Sequence, residues 1–226
     1  MTPLAALQCL RLASPGLPIG GYSYSQGLET AIDLGQIHDR ASAERWLCGL
    51  LAGPVSRYDA PMLARAHRAS AAGDDAALLA LNQTLLASRD SREQRQESVQ
   101  MGYSLRQLLL ALPETASQPL PAALQTGELA FILAYGWAGC RLGLDEATLV
   151  QAYLWSWLEN QVMVLMKALP MGQTVGQQLM SALLPLLAEA TQRAIRLPDQ
   201  QLSSLAPMQS WMAMQHETQY SRLFRS

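Results

Sequence analysis

The sequence predicts an all-α protein: a single-domain bundle of about ten helices around one buried central helix. Three observations predict it. The 226 residues include 41 Leu and 33 Ala but only 6 Val and 5 Ile, so strong helix formers dominate and β-branched residues are scarce. Apolar side chains recur at helical spacing between Pro, Gly and capping residues. The stretch 146–169 is apolar nearly all round, the mark of a helix enclosed by others. The domain is expected over 1–226, with an N-terminal helix and turn in 1–24 and a partner-binding tail at 221–226.

The elements follow in order. After Pro3, Leu4, Leu7, Leu10 and Arg11 open a short amphipathic helix, which must end near Ser14 because Pro15-Gly16-Leu17-Pro18-Ile19-Gly20-Gly21 cannot continue it. Ser23 and Gln26 have capping-box spacing and start a second helix, ending near Leu34 and Gly35. A third begins at Ser42, with Trp46, Leu47, Leu50 and Leu51 on one face, and Pro54 kinks or ends it. Asp59 is expected to cap a fourth, with Pro61 in its first turn. Gly73 and Asp74 separate it from a helix running through Leu86. Ser88 or Ser91 begins a long helix stopped by Pro113, and 114–121 reads as a loop. Two apolar helices follow over about 122–142 and 146–169, parted by Gly143, with Asp145 as cap. Beyond the Pro170 turn, Thr174 and Gln177 repeat the capping-box spacing and open a helix to about Leu197. A last helix is expected over about 208–219.

Composition excludes several functions. A net charge of −2 argues against nucleic acid as the main partner, since phosphate binding needs clustered positive charge. No apolar run reaches the roughly 20 residues of a membrane span. The start lacks the basic head and apolar core of a signal peptide, and Cys9, Cys48 and Cys140 are odd in number and dispersed, so a cytoplasmic location is expected. There is no GxxxxGK[ST], no HExxH and no GxSxG. His38, His67 and His216 are isolated from one another and from the cysteines, and Asp74-Asp75 reads as a helix cap. No catalytic residue, cofactor or intrachain metal site is therefore expected.

Four features exceed a plain bundle. The stiff Gly/Pro turn at 14–21 delivers Tyr22 and Tyr24, rigid aromatic anchors suited to a binding surface, or else an inward-packed connector. Arg89, Arg92, Glu93, Arg95 and Glu97 share a helix at three- and four-residue spacing and read as a solvated face. Ser156, Asn160 and Lys167 make a polar stripe on the apolar central helix. Lys167, the one lysine beside 15 Arg, stands near the helix C-terminus, where it either serves a partner or neutralises its own helix carbonyls. Finally, His216-Glu217-Thr218-Gln219-Tyr220-Ser221-Arg222-Leu223-Phe224-Arg225-Ser226 is rich in Tyr, Phe and Arg, the types enriched at interfaces.

On these residues the chain resembles the UreF family of urease accessory proteins. The resemblance is carried by Leu17-Pro18-Ile19-Gly20-Gly21-Tyr22-Ser23-Tyr24-Ser25-Gln26-Gly27-Leu28-Glu29 and by the terminal segment from His216. Ser91-Arg92-Glu93, Trp157-Leu158-Glu159, Lys167, Pro170, Gly172 and Gln173 support it. It implies a non-enzymatic maturation chaperone, usually a homodimer. Such a protein links UreD (UreH in some organisms) and the GTPase UreG to apo-urease for nickel insertion and modulates GTP hydrolysis. The residues expected to meet partners are Tyr22, Tyr24, Glu29, Lys167, Gln173, His216, Tyr220, Arg222, Leu223, Phe224 and Arg225. The tail is expected to dock on UreD while the rest folds without it, and Tyr22, Tyr24, Lys167 and Gln173 to face UreG. A helical small-molecule enzyme and a passive scaffold are the competing readings.

Overall fold

The computed structural model describes residues 2–125 and 127–226, and no strand occurs among them. Helix α1 spans Pro3–Ala13, α2 Leu28–Asp33, α3 Arg40–Leu50 and α4 Ala60–Ala72. Next come α5 Asp75–Ala87, α6 Arg92–Ala111, α7 Pro113–Ala116 and α8 Ala122–Gln125. Helix α9 is Phe131–Arg141, α10 Glu146–Ala168, α11 Gln173–Arg196 and α12 Pro207–His216. One continuous apolar core runs from Leu12 to Phe224.

Helix α10 is central, as its sequence requires. It packs against α1, α2, α3, α4, α9 and α11, and Leu149, Leu154, Leu158 and Leu165 are wholly enclosed. Its start is fixed by Asp145, whose carboxylate accepts from the Thr148 N–H at 2.9 Å. Asp74 and Ser91 cap α5 and α6 in the same way. The α6–α9 and α4–α9 contacts close over glycines: a Cβ on Gly136 would stand 2.6 Å from the Ala66 methyl, and one on Gly102 would overlap the Leu129 carbonyl.

Several local expectations are corrected. Ser23 and Gln26 form no capping box: a short 3-10 turn covers Gly21–Ser23, Gln26 and Gly27 have left-handed backbone, and α2 starts only at Leu28. Helix α3 starts earlier than Ser42, because Asp39 and Ser42 form a reciprocal cap. At Pro54, of the two expected outcomes, the kink is the one found. The backbone widens into π turns over Leu51–Asp59, with Gly53 outside helical dihedrals. Asp59 caps nothing and pairs instead with Arg89 at 2.8 Å. The apolar run 122–142 is not one helix. Its second part begins at Phe131, where the Asn82 side chain binds the Ala130 N–H at 2.8 Å and the Glu128 carbonyl at 2.9 Å. These caps come from other helices, so local pattern cannot show them. Thr174 and Gln177 likewise make no cap on α11. Pro113–Ala116 forms a short helix inside the expected loop.

Candidate partner-docking site

The terminal segment is seated on its own chain. Glu29, on α2, is 6% exposed; its carboxylate accepts from the Leu223 N–H at 2.6 Å and the Phe224 N–H at 3.1 Å. The Arg225 N–H donates to the Ser23 carbonyl at 2.8 Å. The Ser226 carbonyl accepts from the N–H groups of Ser25 at 2.6 Å and Gln26 at 3.1 Å, and from the Ser25 hydroxyl. The Ser226 hydroxyl in turn donates to Glu97 at 3.0 Å. Successive N–H groups converging on one oxygen form a small anion-favouring concavity.

His216 locks this seat from beneath. Its ring is 0% exposed, with Nδ1 at 2.6 Å from Glu93 and Nε2 at 3.1 Å from Glu29. Each contact needs a proton between nitrogen and oxygen. Arg222 reaches the other Glu93 oxygen at 2.7 Å. Two buried carboxylates therefore meet one imidazole, one guanidinium and two tail amides, which satisfies charges that would be costly alone. The charged stretch at the start of α6 is thus a solvated face only in part: Arg92 and Arg95 stay exposed. Glu93 and Glu97 point inward, and Arg89 is held by Asp59.

Glu97 has a second anchor. Gln26 Nε2 donates to it at 2.6 Å, while Gln26 Oε1 accepts from Trp157 Nε1 at 3.1 Å and Gln161 Nε2 at 3.4 Å. Burial raises the Glu97 carboxyl above its ordinary range, against the opposing pull of Gln26, Ser226 and Arg89. Burial likewise raises the Tyr153 phenol, and Asp59 and Glu97 add to it. For Arg89, burial opposes the charge, but Asp59 more than restores it. Gln26, Glu97, Met101, Phe131, Tyr153 and Trp157 form walls common to two cavities of about 80 Å³ each. Such volumes admit a few waters. Among the described residues no group of three His, Cys, Asp or Glu side chains is placed to hold a metal.

The expected partner residues divide. Lys167 and Tyr22 do come together: Lys167 Nζ lies 5.9 Å from the Tyr22 ring centroid and 5.6 Å from that of Phe224, within cation–π range. Tyr22 is 57% exposed, and Lys167 has no carboxylate partner or helix carbonyl bond among the described residues. Gln173 is exposed at the first residue of α11, across the Pro170 turn. Tyr220, Arg222, Leu223 and Arg225 face outward. Glu29, His216, Phe224 and Tyr24 do not. They are interior, where the chain uses them to fasten its tail and turn rather than presenting them on its surface. Asn160, from the polar stripe, explains part of this: its amide donates to the Tyr24 carbonyl at 3.1 Å.

The sequence reading missed Ser25, Gln26, Glu93, Glu97 and Ser226 as site residues. Gln26 stood inside the quoted turn, but nothing local shows that its amide reaches α6 and α10. The four-residue spacing of Glu93 and Glu97 could equally have signalled one inward face. Beside the tail, Met208, Trp211 and Met214 line the outer face of α12, with Leu205 ahead of it, all exposed. Leu4, Leu7 and Leu10 form a second exposed stripe on α1.

Fold and site define an all-helical protein that fastens its own tail and turns apolar and aromatic side chains outward. The UreF family model matches residues 37–184. A urease accessory protein UreF from Pseudomonas fluorescens strain Pf-5 is 48% identical over 226 residues, with both chains covered in full. One from Ectopseudomonas mendocina is 49% identical over 228 residues, again with full coverage of both. One from Dechloromonas aromatica is 43% identical over 226 residues, covering 100% of this chain and 99% of the relative. The chain belongs to the UreF family of urease accessory proteins.

Proposed function

We propose that this chain acts in urease maturation as a non-enzymatic adaptor. It joins UreD (or UreH) and the GTPase UreG to apo-urease for nickel insertion, and modulates GTP hydrolysis. It works in the cytoplasm, as a homodimer. The observation that carries the adaptor reading is the pair of exposed faces on one fastened hub. One is formed by Tyr22 and Lys167; the other by Tyr220, Leu223 and the Met/Trp face of α12. No helix of the described residues is long and apolar enough to cross a membrane. Nickel is cargo in this reading, and no residue of the chain is assigned to hold it.

The face at Lys167 suits UreG, because an unpaired cation beside an exposed ring favours an acidic, partly apolar patch. The tail face suits UreD. Lys167→Ala with Tyr22→Ala should weaken UreG capture and urease activation, and leave UreD capture unchanged. Tyr220→Ala with Leu223→Ala should do the reverse at the first step. Wild-type capture of both proteins by both variants would overturn the assignment, and unchanged GTP turnover on adding the chain would favour the passive scaffold.

A further inference from the structure

Helices α10 and α11 pack against one another across the Pro170 turn, so the end of α11 lies beside the start of α10. Lys167 stands at the other end of α10, which at 23 residues is about 34 Å long. At the pole remote from Lys167, five of the chain's 15 arginines come together. Arg65 of α4 donates to the Leu197 carbonyl at 2.8 Å and holds an Asp199 oxygen on Nε at 2.9 Å. Arg68 of α4 donates to the Ile195 carbonyl and grips both Glu146 oxygens, through Nε at 2.7 Å and Nη2 at 2.5 Å. Arg193 covers the Ala52 carbonyl at 3.4 Å and the Ser56 hydroxyl at 3.2 Å on the π turns. These three serve the fold. Arg57 and Arg196 do not: both are exposed, and neither guanidinium has a hydrogen bond or a carboxylate partner among the described residues. Glu189, one turn before Arg193, is exposed and forms no ion pair there either.

Like charges this close repel, and Arg193 and Arg196 are three residues apart on one helix. The dipole at the end of α11 favours Arg196, but Arg57 sits on the π turns and gains nothing from it. We propose that this pole docks an acidic segment of a partner protein, whose carboxylates fall on Arg57 and Arg196. Glu146 on Arg68 shows the mode of contact, a planar carboxylate laid across a guanidinium fork. Beside Arg193, Ala52 is exposed and Gly53 has open space where a Cβ would stand, so a partner's chain can come close. A phosphate backbone fits less well. Glu146, Glu189 and Asp199 lie among the five guanidiniums, and the chain as a whole carries a net charge of −2. A short acidic segment needs only the two free guanidiniums. The inference rests on the adaptor reading in one respect, that the chain works by holding partners. It gives the adaptor a third face, far enough from Tyr22 and Lys167 that a protein seated here leaves that face open.

The test uses the whole chain and a fluorescently labelled oligoglutamate peptide, read by anisotropy at low ionic strength. Arg57→Glu with Arg196→Glu should weaken binding by about tenfold or more, and added salt should weaken it in the wild type. Arg57→Lys with Arg196→Lys keeps the charge but loses the fork, and should cost less. Lys167→Ala with Tyr22→Ala should leave peptide affinity within about twofold, since those residues are remote. Melting curves should match wild type, because neither arginine is bonded within the chain. Should charge reversal unsettle the fold, Arg57→Gln with Arg196→Gln carries the same comparison. Equal peptide affinity of the wild-type and charge-reversed proteins would overturn the proposal, as would an equal loss in the Lys167/Tyr22 variant. So would tighter binding of an oligonucleotide or of phosphatidylglycerol vesicles than of the peptide, which would make the pole a phosphate site. In a second arm the charge-reversed chain is tested for capture of UreD, UreG and apo-urease. One of the three should be lost and the other two kept, and full retention of all three counts against the pole as a docking face. If the wild-type chain captures none of them, the adaptor reading fails, while the peptide arm still decides whether this pole takes carboxylates.

Discussion

Glu97 and His216 show how much one interior polar group can decide. The native fold holds a proton on Glu97 to a higher pH than the unfolded chain, whose ordinary value is 4.5, because burial disfavours the anion. Its contribution to stability is therefore fully present below that value and is lost as pH rises through the raised native one. Replacing Glu97 by Gln removes this loss while preserving size. The urea midpoint of Glu97→Gln should thus rise relative to wild type between pH 5 and pH 8, with the gap widening towards alkaline pH. A gap that narrows as pH rises would contradict it. For His216 the balance is different. Taking away the ring leaves Glu29 and Glu93 facing one another's side of an empty site, with only the tail amides and Arg222 to hold them. His216→Ala should cost about 3 kcal/mol in chemical denaturation, the scale of breaking a buried pair on one side. His216→Gln, which can donate to one carboxylate, should cost less.

Among the elements, packing distance separates glycines that look alike in sequence. Gly102 lies in α6 where the Leu129 carbonyl closes over it, whereas Gly49 lies in α3 with nothing within 4 Å of the place a Cβ would occupy. Gly102→Ala should destabilise by about 1–3 kcal/mol, because the backbone of the segment leading into α9 must move. Gly49→Ala should be neutral or stabilising by up to about 1 kcal/mol, through helix propensity. Thermal melts of the two single variants check both signs at once. The element boundaries teach the same lesson. The local caps at Asp74 and Asp145, and Ser91 of the two serines considered, stand where the sequence put them, whereas the local Asp39–Ser42 cap did not show in it. Where the cap came from another helix, as Asn82 does for α9, or where strain replaced a cap, as at Gln26, the pattern misled.

At the scale of the whole molecule, a chain with only 15% charged residues leaves large apolar side chains outside. Met208 and Trp211 on α12 touch solvent and contribute little to the core, so Met208→Gln with Trp211→Gln should change stability by no more than about 0.5 kcal/mol each. The same double variant should reduce self-association in sedimentation velocity, because it breaks up an exposed apolar stripe. A fall in melting temperature with unchanged sedimentation would mean that the stripe serves the fold instead.

By itself the sequence determined the helical class, the enclosed position of α10, most helix ends and the family. These depend on composition, periodicity and neighbouring residues, which are written contiguously along the chain. Only the tertiary structure decided that the terminal segment folds home. It also decided that Glu29, Glu93 and Glu97 are interior, and that Tyr24, His216 and Phe224 face inward while Tyr22 and Lys167 do not. The reason is the cost of an unsatisfied buried charge. That cost is met by partners such as Leu223, Phe224 and His216 for Glu29, which lie 187 or more positions away along the chain. No local pattern encodes which distant donor will arrive, so residues alike in type become surface or fastening according to where the bundle closes.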